Sequence, residues 1–205
     1  MVKGGQYQPA VAGVTVSFIE RLALKASTIT RVALMAAVTA AAAQITIPLP
    51  FSPVPFTLQV LAVILSGLLL GPRYGALAQA IYLLIGAVGV PVFAQFKGGL
   101  GVILGPTGGY LLSYPIAAAV AGLATYAARS AARRRALWTS LLWGCVGLAV
   151  IYALGAAWLA AVTRLPIAAA LAQGVAPFVI FDLIKVALAA LVAVAAAPAI
   201  AASRI

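Results

Sequence analysis

The sequence predicts an all-α integral membrane protein of six transmembrane helices with both termini on the cytoplasmic side. Three observations carry that prediction. The 205-residue chain is 65% hydrophobic and only 7% charged, with a mean hydropathy of +1.18. A soluble domain carries about a quarter charged residues, so too little polar surface exists here to cover a water-facing globule. Apolar runs long enough to span a bilayer recur along the chain. The cations also sort to one side: Lys3, Arg21, Lys25, Arg31, Arg73, Arg129, Arg133, Arg134, Arg135 and Arg204 flank one set of span ends, and only Lys97 and Arg164 flank the other. Positive residues gather on the cytoplasmic side, and only an even number of spans preserves this sorting.

Taken in order, residues 1–27 form an N-terminal tail. In it Val14, Phe18, Leu22 and Ala26 recur at helical spacing, the pattern of a short interfacial helix; a frayed tail is the alternative. Residues 28–205 form the six-helix membrane domain. The first span covers about Thr28–Ile47. Arg21, Lys25 and Arg31 before a short apolar stretch, then Ala41-Ala-Ala43, also resemble a signal peptide. The long charged lead-in and the nearby second span favour a retained helix. Prolines at 48, 50, 53 and 55 exclude helix from the next segment. The second span runs from about Phe56 to Leu70, Gly71-Pro72-Arg73 makes a tight turn, and the third runs from Tyr74 to Phe93. The segment from Ala94 to Gly109 is apolar yet rich in glycine. Irregular backbone at membrane depth is tolerated where it is buried in protein or lines a cavity. The fourth, fifth and sixth spans cover about Gly108–Ala128, Leu137–Val162 and Gly174–Ala201.

Composition excludes several functions. The net charge of +11 comes from 13 basic and 2 acidic residues distributed around apolar runs, not from a basic stripe on a soluble core, so nucleic acid is not the partner. The chain has no His and a single Cys, Cys145, so no internal disulfide and no His/Cys metal site is expected. With Glu20 and Asp182 as the only acids, no acid/base pair or triad is available, and no catalytic residue is assigned. The glycines at 98, 99, 101, 105, 108 and 109 lack the Lys-Ser/Thr of a phosphate-binding loop.

Asp182 and Lys185 stand three apart near the outer end of the last span, on one helix face. An ionisable residue at membrane depth points to function by default; a salt bridge that only lets the helix insert is the alternative. Thr57, Gln59, Gln95, Lys97 and Tyr110 fall on the same outer side. They are expected to converge with the Asp-Lys pair on one outward-facing ligand cavity, walled by Phe51, Phe56 and Phe93. On the first span Ala33, Ala37 and Ala41 lie four apart, as do Ala36 and Ala40. Small residues at that spacing let another helix approach closely, although so Ala-rich a chain also yields them by chance.

Three ordered segments resemble a known family. Pro48-Leu-Pro-Phe-Ser-Pro-Val-Pro-Phe-Thr-Leu-Gln59, the run Gly86-Ala-Val-Gly-Val-Pro-Val-Phe-Ala94 with Gly98-Gly-Leu-Gly-Val-Ile-Leu-Gly-Pro-Thr-Gly-Gly-Tyr110, and Phe181-Asp-Leu-Ile-Lys185 are similar to the signatures of the BioY family. These are the biotin-specific S components of energy-coupling factor (ECF) transporters. The resemblance spans about residues 28–200. It implies capture of biotin on the outer face of a bacterial or archaeal plasma membrane, with Asp182 and Lys185 reading the vitamin. It also implies a transmembrane coupling subunit meeting Ala33, Ala37 and Ala41, and a pair of ABC-type ATPases; ATP would be used only by those partners, and no cofactor is implied for this chain. Some members are thought to work without the partners. The alternatives are an S component for another vitamin, a structural subunit of a membrane complex, or, more weakly, a channel.

Overall fold

A computed structural model describes residues 10–127 and 132–202, with side chains described over 26–127 and 132–198. Helix α1 covers Ala10–Gln44 without a break, so the backbone runs helically through the boundary placed near residue 27. The interfacial pattern of Val14, Phe18 and Leu22 lies outside the described side chains, as do Lys3, Arg21, Lys25, Arg129 and Arg204. The helix stops at Gln44 rather than Ile47, because Ile45, Thr46 and Ile47 precede the proline run. Thr46–Ile47 forms a short strand β1, paired antiparallel with β2, Phe56–Thr57. The proline loop is therefore held at both ends.

Helix α2, Gln59–Ala87, is interrupted at Gly71, whose φ of 78° suits a residue without a β-carbon. Pro72 follows at the start of the second limb, where its missing N–H is not needed. The limbs fold back on each other. Gly75 approaches Gly67, the Gln79 amide donates to Ser66 Oγ (3.1 Å), and the Gln59 amide donates to Tyr82 Oη (2.7 Å). Gln79 also donates to Thr39 Oγ1 on α1 (3.0 Å), joining α1 to both limbs.

The second limb ends at Ala87, earlier than Phe93, because Gly89 takes a φ of 105° ahead of Pro91. A 3₁₀ turn at Ala94–Phe96 and a short helix α3, Leu100–Ile103, make up most of the glycine-rich segment. Helix α4, Gly108–Gly122, passes through Leu123 into the short α5, Ala124–Ala127. Helix α6 is Arg133–Thr163. The last span starts at Val179, not Gly174. Residues Ile167–Gly174 form a separate helix α7, and α8 is Val179–Ala202.

Five described helices are long and apolar enough to cross a membrane, with α2 and its two limbs taken as one. The chain is a multi-pass helical membrane protein. Helix α4 sits between α2 and α6, α1 flanks α2, and α8 packs on α2 and α6. The core between them holds Val63, Ile64, Tyr82, Tyr114, Ala117, Ala118, Ala121, Ile151 and Val186. Helix contacts are made at glycine: a β-carbon on Gly67 would meet the Ala118 carbonyl, and one on Gly147 would lie 2.9 Å from the Ala117 oxygen. In lipid, where apolar burial between helices gains little, such close packing is a main source of association.

The substitution Gly67→Leu is expected to cost at least about 1–3 kcal/mol, since it overpacks the α2–α4 crossing. Gly101→Ala, where nothing lies within 4 Å of the added carbon, is expected to be neutral. Thermal unfolding in detergent compares the two.

Candidate functional site

At one end of the bundle the proline loop, the 93–107 segment and the starts of α4 and α8 surround a cavity of about 370 Å³. The C-terminal half of α6 and the end of α7 complete its wall. Among the described residues Lys97 and Arg164 stand at this end, whereas Arg73 and Arg133–Arg135 stand at the other.

Asp182 and Lys185 lie in the first two turns of α8 and face this cavity. They are 3% and 5% exposed, which removes them from lipid contact. Lys185 Nζ donates to Asp182 Oδ1 (2.6 Å) and to the Thr57 carbonyl oxygen in β2 (2.7 Å). It also lies 3.8 Å from the centre of the Phe56 ring, whose π face attracts a desolvated cation. Phe56 is held by Phe178 (6.4 Å, stacked) and Phe181 (5.3 Å, edge-on). Asp182 Oδ2 accepts from Tyr152 Oη on α6 (2.7 Å). Each buried charge therefore has an opposite charge and at least one further polar or aromatic partner, the condition for tolerating its desolvation.

Most of the other sequence-derived candidates gather at the same place. Thr57, Gln59, Phe93, Gln95, Lys97 and Tyr110 all line the cavity. Two are largely committed within the protein: Gln59 donates to Tyr82 and accepts from Thr57 Oγ1 (3.1 Å), and Tyr110 Oη donates to the Gly174 carbonyl (2.9 Å). Gln95 and Lys97 are exposed at the rim, with no such commitment among the described hydrogen bonds. Phe93 is buried edge-on against Tyr82 (5.6 Å), and a β-carbon on Gly86 would strike its ring. The expected wall of three phenylalanines needs correction. Phe51 is 60% exposed and points away, and Phe56 sits behind Lys185 instead of lining the space. Ala33, Ala37 and Ala41 are exposed along α1, while Ala36 turns inward and is buried.

Several lining residues carried no expectation: Tyr152, Tyr114, Ile151, Phe178 and Ser52. Tyr152 had a signal, since a phenol within an apolar span needs a hydrogen-bond partner. Ser52 links the proline loop to the far wall: its hydroxyl donates to the Gln173 carbonyl at the end of α7 (2.8 Å) and accepts from Val54 N–H (3.1 Å).

A family model for the BioY family matches residues 15–202. The chain belongs to the BioY family. Among BioY relatives, a probable biotin transporter from Pyrococcus horikoshii is 45% identical over 170 residues, covering 83% of this chain and 96% of its own length. The biotin transporter BioY of Thermotoga maritima is 48% identical over 147 residues, covering 72% of this chain and 83% of the relative. A solved structure of the S component for biotin from an ECF-type ABC transporter superposes with a TM-score of 0.74 at 28% identity, over 83% of this chain and 90% of that one.

The buried couple gives a stability prediction. Asp182→Asn and Lys185→Met are each expected to lose roughly 3–5 kcal/mol by leaving a buried charge unpaired, and the double variant less than the sum. Unfolding of all four proteins in detergent completes the cycle; strict additivity would argue against the pairing.

Proposed function

We propose that the chain is the S component of a biotin uptake transporter: a binding and translocation subunit, not an enzyme, with no cofactor of its own. The observation that carries this reading is the Asp182–Lys185 couple facing a cavity. Its hydrogen-bond capacity is only partly used. An ammonium has three N–H donors and a carboxylate about four acceptor sites. Lys185 spends two donors, on Asp182 and Thr57, and Asp182 accepts one bond on each oxygen. About one donor and two acceptor positions remain. A ureido group presents the complement, two N–H donors and one carbonyl acceptor. Bonds of this kind, with one partner charged, are among the strong ones.

The carboxylate of biotin needs a cation elsewhere, and Lys97 at the rim supplies one. Gln95 stands beside it as a second polar contact. Phe93, Val102, Ile151 and Phe178 offer apolar surface for the thioether ring and methylenes. The volume lies within the range of small-molecule sites.

Six spans follow if each limb of α2 crosses the membrane. By the positive-inside rule the Arg-rich end is then cytoplasmic and the cavity faces outward. The membrane is the plasma membrane of a bacterium or archaeon. Biotin enters from outside, the proline loop and glycine-rich segment close over it, and release inward follows a reorientation driven by partner ATPases. The exposed Ala33, Ala37 and Ala41 face of α1 receives the transmembrane coupling subunit, since small side chains admit a second helix closely.

Titration of the purified protein with biotin tests the reading, with thiamine and riboflavin as comparators. Tight binding of a comparator with weak biotin binding would reassign the substrate. Asp182→Ala and Lys185→Ala are each expected to weaken biotin at least about tenfold, as loss of a charged hydrogen bond costs roughly 1.5–3 kcal/mol. Wild-type affinity in both would refute the site. Separately, Ala33→Trp is expected to bind biotin normally yet fail in uptake when the partners are present. Normal uptake by that variant would remove the α1 interface.

A further inference from the structure

Gln44, the last residue of α1, turns its side chain onto a distant part of the chain. Its Nε2 donates to the carbonyl oxygens of Val92 (3.3 Å) and Phe93 (3.2 Å), and its Oε1 accepts from the N–H of Phe96 (3.0 Å). One amide thus grips the 92–97 wall from both of its hydrogen-bonding faces.

That wall is strained. Gln95 and Phe96 take φ of 62° and 54°, a left-handed conformation unfavourable for residues bearing a β-carbon. Such backbone persists only where its surroundings over-determine it. Two other backbone bonds frame the segment: Phe93 N–H to the Lys97 carbonyl (2.9 Å) and Gly99 N–H to the Gly86 carbonyl (2.7 Å). Neither reaches the two strained residues. Among the described side-chain hydrogen bonds, the one that does is the bond Phe96 N–H gives to Gln44. The segment also carries four cavity-lining residues, Phe93, Ala94, Gln95 and Lys97.

We propose that Gln44 is a positioning residue for the ligand site: it holds the strained 92–97 wall in its ligand-ready form before any ligand arrives. The ligand being biotin rests on the reading above; the ordering of the wall does not. When only a fraction of molecules holds a ready wall, apparent affinity falls by that fraction. Gln44 keeps the fraction high without touching the vitamin.

The test uses full-length protein in detergent and measures biotin affinity together with amide hydrogen exchange, with and without biotin. Gln44→Met is close in volume to the native residue but cannot make these hydrogen bonds. It is expected to weaken biotin at least about tenfold and to speed exchange at Phe96 in the ligand-free protein. Added biotin should slow that amide again, and the Gly99 amide should stay slow throughout. Gln44→Glu keeps an acceptor for Phe96 N–H but cannot donate to the two carbonyls. It is expected to protect Phe96 better than Gln44→Met and, should the latter fail to fold, to show an affinity loss of its own. Unchanged exchange at Phe96 in Gln44→Met, faster exchange spread evenly over the protein, or wild-type affinity despite a loosened Phe96 would each overturn the proposal. A wild-type protein that does not bind biotin would sink the biotin reading instead, and the exchange measurement would still decide whether Gln44 orders the wall.

Discussion

A carboxylate and an ammonium 2.6 Å apart, both nearly sealed from solvent and lipid, set the terms for this end of the molecule. Removing two such charges from water costs several kcal/mol per ion, and their attraction alone does not guarantee repayment. The surrounding structure is arranged to complete the solvation. Strand β2 brings the Thr57 carbonyl to Lys185, α6 brings the Tyr152 hydroxyl to Asp182, and Phe56 lies under the ammonium. Those groups come from two separate parts of the chain, β2 at the end of the proline loop and α6, so the couple ties the proline loop, α6 and α8 into one unit. Such partners are what burial of any ion pair requires; what sets this couple apart is the capacity they leave unused. Asp182 and Lys185 still leave hydrogen-bonding capacity facing a cavity.

Much of the rest of the cavity wall is made from backbone that cannot continue as helix. Four prolines bar helix from residues 48–55, and Gly89 with Pro91 ends the second limb of α2. Polar backbone at this depth needs partners. Side chains supply many of them: Gln44 for residues 92–96, Trp158 for the Gly105 carbonyl, Tyr110 for Gly174 and Ser52 for Gln173. Polar residues that look like scattered candidates for ligand binding are in several cases engaged in holding the wall. Gln59, committed to Tyr82 and Thr57, is the plainest example.

Which features are readable from sequence depends on whether their cause is local. Asp182 and Lys185 stand out because charge in an apolar run has few explanations. The reversal at Gly71-Pro72 is legible because both residues state their backbone preference. The irregular course of the Gly-rich segment is legible for the same reason, and the shared face of Ala33, Ala37 and Ala41 follows from helical spacing. Helix α7 and its break from α8 are not announced by pattern: the expected sixth span begins at Gly174, the last residue of α7, and the break at 175–178 carries only one proline. Proximity in sequence places Phe51 and Phe56 in the wall, yet adjacent residues of an extended loop point in different directions. Tyr152 and Gln44 depend on partners 30 and about 50 residues away. No periodicity announces such a pairing.

The fold-back of α2 has a consequence for distance. From Gln59 at the cavity to Leu70 at the turn, the first limb is roughly 18 Å long at about 1.5 Å per residue. A hydrocarbon layer is about 30 Å thick. On the outward-facing reading proposed above, a solute beside Gln59 would therefore lie within the depth of the bilayer rather than at its surface. The reorientation proposed above would then have to carry that solute past a first limb of roughly 18 Å, a shorter path than a channel through the full layer.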